Sequence, residues 1–175
     1  IAGLQYYKGH DFLIDIFSEL LLHNDKIHLV LVGDGELENE LKSRVENLNI
    51  QHKVYFLGKI KNIYPIIKSM DIMVHPSRWE GFGIILVEAM FCKVPLVTSD
   101  RGGIPEVVKD NINGFVHSFG DINSFVKSIS LLIKNENLRK EFGLQGYNSA
   151  KNKFTMKKMI NGYSNVYKKE MYTVK

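Results

Sequence analysis

Residues 75–90 read His-Pro-Ser-Arg-Trp-Glu-Gly-Phe-Gly-Ile-Ile-Leu-Val-Glu-Ala-Met. The apolar run Asp71–His75 leads into this stretch with the length of a buried strand. From Gly83 to about Lys93 the apolar residues continue as a helix. A strand, a glycine-rich turn and a helix in immediate succession form the repeating unit of a parallel α/β sheet. The turn also carries chemistry. Glu80 precedes Gly81-Phe82-Gly83, and Glu88 lies eight positions further on, along the helix. Glycines admit a ligand close to the backbone, because no Cβ intervenes. A helix beginning at Gly83 offers unpaired amides and the positive end of its dipole to an anion. The glycines alone serve a plain strand-to-helix turn equally well.

Working outward, the same alternation recurs. Strands are expected at Ile1–Leu4, His28–Val32, Val54–Leu57, Asp71–His75, Pro95–Thr98 and Phe115–His117. Helices are expected over Gly9–Leu22, over Glu36–Leu48 with Leu37, Leu41, Val45 and Leu48 on one face, over Ile63–Ser69, and in a single turn at Pro105–Val108. After His117 the pattern is helical to the end, with breaks near Asn135 and Ala150–Asn152. The fold class is thus α/β: a Rossmann-like, doubly wound parallel sheet of about six strands, with helices on both faces and helices at the C-terminal end. In the strand order 3-2-1-4-5-6, a ligand crevice opens between strands 1 and 4 at their carboxyl ends. The loop after strand 1 carries Lys8, and the loop after strand 4 carries Glu80, Gly81, Phe82 and Gly83. Lys8 could reach a phosphate from that position. Burial of Glu80 by Trp79 and Phe82 would raise its pKa. His75 reads as a strand-end residue lining the crevice.

Bulk properties narrow the function classes. The chain has 175 residues, 45% hydrophobic and 24% charged, with a net charge of +4. This suits one domain with a normal core. The lysines are scattered and no nucleic-acid reading motif occurs. The lone Cys92 excludes an internal disulfide and reads as a small core residue in a reducing compartment. No metal-ligand spacing is present, and no serine-hydrolase elbow or P-loop. No apolar run is long enough to span a bilayer. Gly33-Asp34-Gly35 lacks the third glycine of a dinucleotide fingerprint. The chain opens in an apolar run without an initiator Met, as a strand entered partway, so a fragment of a longer protein is expected.

These motifs resemble, in order, the donor half of glycosyltransferase family 4. The resemblance is carried by Lys8-Gly9, Val32-Gly33-Asp34-Gly35, Phe56-Leu57-Gly58, the stretch His75–Met90, Val94–Thr98, Gly102–Val108 and Asn113-Gly114. It implies a GT-B enzyme of two Rossmann-like domains, this chain being the C-terminal, donor-binding one. The N-terminal acceptor domain would be absent from it. The implied reaction is retaining transfer of a sugar from a nucleotide diphosphate sugar, with neither cofactor nor metal. By the resemblance, Glu80 and Lys8 carry the catalysis: Glu80 contacts the donor sugar, and Lys8 stabilises the diphosphate leaving group. Gly81, Phe82, Gly83 and Ile84 hold sugar hydroxyls or phosphate, Glu88 holds the ribose, and Lys59 and Ile60 lie near the base. The family often has an arginine five residues before the lysine. Gly3 stands there, with Arg78 or Arg101 as a possible replacement. The closing helix is expected at about 154–172, its Lys157, Lys158, Lys168 and Lys169 facing lipid headgroups or water. The acceptor would be a glycan or lipid-linked glycan bound by the other half. The enzyme would be bacterial and cytoplasmic, or peripheral at the inner face of the membrane. A GT-B sugar-nucleotide epimerase and a catalytically silent nucleotide-sugar-binding module are the alternatives.

Overall fold

A computed structural model describes residues 1–173, with side chains through Lys168. A single 3-10 turn, Tyr6–Lys8, leads into α1 (His10–Leu21). Then follow β1 (Leu29–Leu31), α2 (Glu38–Asn47), β2 (Val54–Phe56), α3 (Tyr64–Ser69), β3 (Met73–His75), α4 (Ile84–Phe91), β4 (Leu96–Ser99), α5 (Ile104–Val107) and β5 (Gly114–His117). Three helices close the chain: α6 (Ile122–Lys134), α7 (Glu136–Lys153) and α8 (Met156–Thr173). The side chain of Lys169 lies outside the described residues.

Every strand pairing is parallel. Leu29 of β1 sits opposite Val54 of β2, Met73 of β3 opposite Leu96 of β4, and Leu96 opposite Gly114 of β5. The doubly wound α/β class expected from the sequence is the class observed. One particular differs. The sheet consists of five strands in two runs, β1-β2 and β3-β4-β5, rather than six strands in one. Ile1–Leu4 forms no ladder. The Ala2 N–H donates to Val32 O at 3.0 Å and the Leu4 N–H to Asp34 O at 2.8 Å, both beyond the carboxyl end of β1. The segment therefore lies past the end of the strand it was expected to flank. Between β1 and β3 there remains a cavity of about 650 Å³, lined by Leu29–Leu31, Met73–His75, Ile1 and the inner side of α1. His10 also lines it, with Nδ1 buried and unpaired among the described residues; burial pushes its pKa down to about 4.

Three apolar clusters hold the elements together, and α1 is shared by two of them. Ile14 and Phe17 pack with Leu31, Leu41, Val45 and Val54 under α2. Phe12, Ile16 and Leu20 pack with Val97, Phe115, Phe125, Ile129 and Leu132 under α6. One helix thus bridges both strand runs from one side. The third cluster, Ile67, Met73, Leu86, Met90, Leu96 and Ile104, surrounds α4. That helix is apolar nearly throughout because it is buried on several sides, and Glu88 is its one charged residue. Full burial of a side chain such as Phe125 contributes about 1.5–3 kcal/mol before entropy is counted. By contrast Met156, Met159, Ile160, Tyr163, Val166 and Tyr167 of α8 are all more than half exposed. Their spacing places them along one side of the helix. No helix among the described residues is long and apolar enough to cross a membrane.

The helical breaks have local causes. Asp121 caps α6 by accepting from the Ser124 N–H at 3.1 Å. Asn135 ends α6 and caps α7, its Oδ1 accepting from the Leu138 N–H at 2.9 Å. Asn135→Ala removes that acceptor and is expected to cost about 1 kcal/mol, measured by urea denaturation.

Candidate functional site

The loop from β3 to α4 is fixed from three directions. The Arg78 and Trp79 amides both donate to Tyr7 O, at 2.8 and 3.3 Å. Ser99 Oγ donates to Ser77 O at 2.6 Å, and the Gly103 N–H donates to Glu80 O at 2.9 Å. The first contact docks the Tyr6–Gly9 turn directly on this loop. Gly9 allows it: at φ 69° its backbone is left-handed, and a Cβ would stand 2.1 Å from Pro76 O. Loops about 70 residues apart therefore meet, joined by these hydrogen bonds rather than by a strand ladder.

Arg78 clamps the same seam. Its guanidinium donates to both carboxylate oxygens of Asp11, at 2.8 and 2.6 Å, and to Tyr6 O at 2.8 Å. It lies over the rings of Tyr6 and Phe119, 4.1 and 4.8 Å from their centroids. The hydrogen bonds from Arg78 hold the Asp11 carboxyl below its ordinary pKa. Arg78 is thereby committed to the protein and does not replace the cation absent at Gly3. Arg101 is half exposed and pairs with its neighbour Asp100 at 3.3 Å.

Beside the clamp, three groups converge on Glu80. Lys8 Nζ and His75 Nε2 each lie 2.8 Å from the same oxygen, Oε2. Ser77 Oγ lies 2.9 Å from His75 Nε2. The side chains are nearly covered, at 16% exposure for Lys8, 12% for Glu80 and 6% for His75. The expected rise in the pKa of Glu80 does not occur. The hydrogen bond from His75 first, and the bond and charge of Lys8 beside it, outweigh burial and hold it down at about 2. Trp79 and Phe82, expected to desolvate it, are themselves 63% and 41% exposed. Burial lowers the pKa of His75, so its imidazole is neutral at neutral pH.

Gly83 caps α4 in the left-handed conformation, φ 80° and ψ 56°. The chain turns there so that the open amides of the helix's first turn face outward beside Glu80. A cavity of about 360 Å³ results, lined by Lys8, Glu80, Phe82, Gly83 and Ile84 together with Gly3, Ile85 and the first two residues. Five of the nine residues picked out in the sequence thus share one wall. Gly81 stands behind it, its carbonyl packed on Gly103. Glu88 is on α4 beyond the lining, partly buried, and its carboxylate takes no hydrogen bond from the described residues. Lys59 and Ile60 follow Gly58, whose carbonyl accepts from the Gly33 N–H at 2.8 Å; neither lines this cavity. Among the described residues, Lys8 is the only cationic side chain that does. Sequence reasoning missed Ser77 and Asp11. For Ser77 the one signal is the crowding of His75, Ser77, Arg78 and Glu80 into six positions; Asp11 carries none. Among the described residues, no three or more His, Cys, Asp or Glu side chains gather as a metal site would require.

Residues 1–149 match the family model described as "Glycosyl transferases group 1". The chain is 32% identical over 167 residues to N-acetyl-alpha-D-glucosaminyl L-malate synthase of Bacillus anthracis, covering 95% of this chain and 44% of that protein. It superposes on the crystal structure of Anabaena HepE in complex with UDP-glucose with a TM-score of 0.89 at 26% identity, covering 97% of this chain and 47% of that one. A crystallised C-terminal domain of a glycosyl transferase group 1 family protein from Francisella tularensis shares the fold, with a TM-score of 0.80 at 23% identity. There the match covers 89% of this chain and 84% of the other. The chain spans less than half the length of the B. anthracis and Anabaena proteins.

Two outcomes test this geometry. The folded-state pKa of Glu80 is depressed, so its stabilisation is present above the ordinary carboxylate value near 4.5 and is lost as pH falls toward 2. Glu80→Gln should therefore destabilise the protein at pH 6 and progressively less between pH 4.5 and pH 2, in urea melts at fixed pH. A double-mutant cycle on Arg78→Met and Asp11→Asn should give a coupling of about 1 kcal/mol, above the level of an isolated surface pair because the pair is bidentate.

Proposed function

This chain belongs to the glycosyl transferases group 1 family, and we propose that it is the donor-binding, C-terminal half of a retaining, metal-independent glycosyltransferase of family 4. The observation that carries the reading is the Lys8–Glu80 pair at the mouth of α4. It sets a cation, a carboxylate and outward-facing helix amides around one cavity. A nucleotide diphosphate sugar offers complementary groups: an anionic diphosphate and a ring of hydroxyls.

In this reading Lys8 meets the diphosphate. An ammonium has three donors, so Lys8 can keep its bond to Glu80 and still reach a phosphate oxygen. As the glycosidic bond breaks, negative charge grows on the diphosphate, and Lys8 stabilises it in a site partly shielded from water. The amides at Gly83 and Ile84 add to the anion site. Glu80 stays ionised throughout the neutral range, so it accepts a sugar hydroxyl and faces the positive charge developing at the anomeric carbon. Glu88 reaches the ribose, and Lys59 and Ile60 border the base. The UDP-glucose held by the Anabaena structure supports this class of ligand.

The acceptor, a glycan or lipid-linked glycan, belongs to the other half of the enzyme. The same half would cover the apolar side of α8, which these residues leave exposed. Lys157, Lys158 and Lys168 sit on that helix too. They suit a peripheral position on an anionic inner membrane face.

Calorimetric titration of this chain with UDP-, GDP- and ADP-sugars should give saturable binding by at least one of them. Lys8→Met should weaken it by about tenfold or more, as expected for loss of a charge-assisted contact. Absence of binding across the panel would overturn the donor-binding reading.

A further inference from the structure

Glu80 has two carboxylate oxygens, and the protein uses only one. Lys8 and His75 both approach Oε2 at 2.8 Å. Oε1 takes no hydrogen bond from the described residues and is not among the buried unpaired atoms, so it keeps access to solvent on a residue that lines the cavity. The asymmetry has a definite source. His75 ends β3, a strand held on one side by β4, and the residue is 5% exposed. Its ring cannot follow a moving carboxylate. An ionised Oε2 at 2.8 Å from Nε2 requires that nitrogen to carry the proton, since a lone pair there would face the negative charge. Ser77 Oγ, fully buried and 2.9 Å from the same nitrogen, accepts a second branch of that N–H and fixes the ring plane. Ser77 is held in turn through its carbonyl by Ser99.

We infer that His75, backed by Ser77, is a positioning residue: it pins Oε2 of Glu80 so that Oε1 is presented to a hydroxyl of the donor's sugar. The inference rests on the donor-binding reading and adds a task that Lys8 cannot perform. Lys8 is a flexible donor that also serves the diphosphate, whereas His75 is rigid, and its Nε2 meets only Glu80 and the buried Ser77 hydroxyl. The positioning therefore concerns the sugar and leaves the nucleotide untouched.

That separation supplies the test. Wild type, His75→Leu and His75→Gln are titrated with UDP and UDP-glucose, GDP and GDP-mannose, and ADP and ADP-glucose. His75→Leu should weaken the sugar conjugate by about tenfold, the size expected for a lost charge-assisted hydrogen bond. Affinity for the bare nucleotide should stay within about twofold, and His75→Gln, which keeps an N–H donor, should recover most of the loss. Equal weakening of nucleotide and conjugate, or no change in either, would overturn the positioning role while leaving donor binding intact. Failure of wild type to bind any of the six would overturn the donor-binding reading instead. The positioning is then decided without ligand, by NMR. In wild type, ¹⁵N shifts should show His75 protonated at Nε2, and the Glu80 carboxyl should titrate near 2. His75→Leu should move that midpoint up toward the ordinary carboxylate range, and His75→Gln should leave it low. A bare Nε2 in wild type, or a midpoint unmoved in His75→Leu, overturns the inference.

Discussion

Glu80 is a charge withdrawn from water, and the donors that keep it charged come from both sides of a seam in the chain. An ionised carboxylate with 12% of its side chain exposed is tolerable only where hydrogen bonds replace its hydration. His75 supplies one from the strand leading into the loop. Lys8 supplies the other from a turn at the far end of the sequence. The pair therefore does two things at once. It satisfies a buried charge, and it fixes the distance between the two loops that border the cavity. The unpartnered oxygen on the same carboxylate is what remains for a ligand.

Arg78 shows how the same seam is held without occupying the site. Its guanidinium donates to two carboxylate oxygens and a carbonyl and lies over two aromatic rings. Planar, fork-shaped and permanently charged, arginine fits such a pocket where lysine would not. The two basic residues have divided the work. Arg78 is tied to Asp11 and Tyr6, while Lys8 has donors beyond its bond to Glu80.

Much of this was legible in the sequence. The alternation of apolar runs and helical stretches gave the parallel α/β class, and the break at Asn135 follows from capping chemistry; the break expected at Ala150–Asn152 falls instead at Phe154–Thr155, because α7 continues to Lys153. The glycine-rich turn between Glu80 and Ile84 was marked by composition alone. The first segment was not legible in the same way. Ile1–Leu4 has the composition of a strand, yet a strand exists only by its ladder, and this segment bonds past the end of β1. The pKa of Glu80 was not legible for a related reason. Its sequence neighbours Trp79 and Phe82 suggested burial in apolar surroundings, but they turn outward, and the groups that matter are His75 and Lys8.

What the sequence by itself determined is the set of local units: which stretches bury one face, where glycine permits a turn, and which turns hold charged residues. Those depend on spacing along the chain, and spacing is what a sequence records. The tertiary structure alone decided the pairings. Arg78 could have served a ligand or Asp11, and His75 could have faced solvent or Glu80. Such choices depend on whether two side chains end within about 3 Å of each other. That distance is set by the docking of one loop on another 70 residues away.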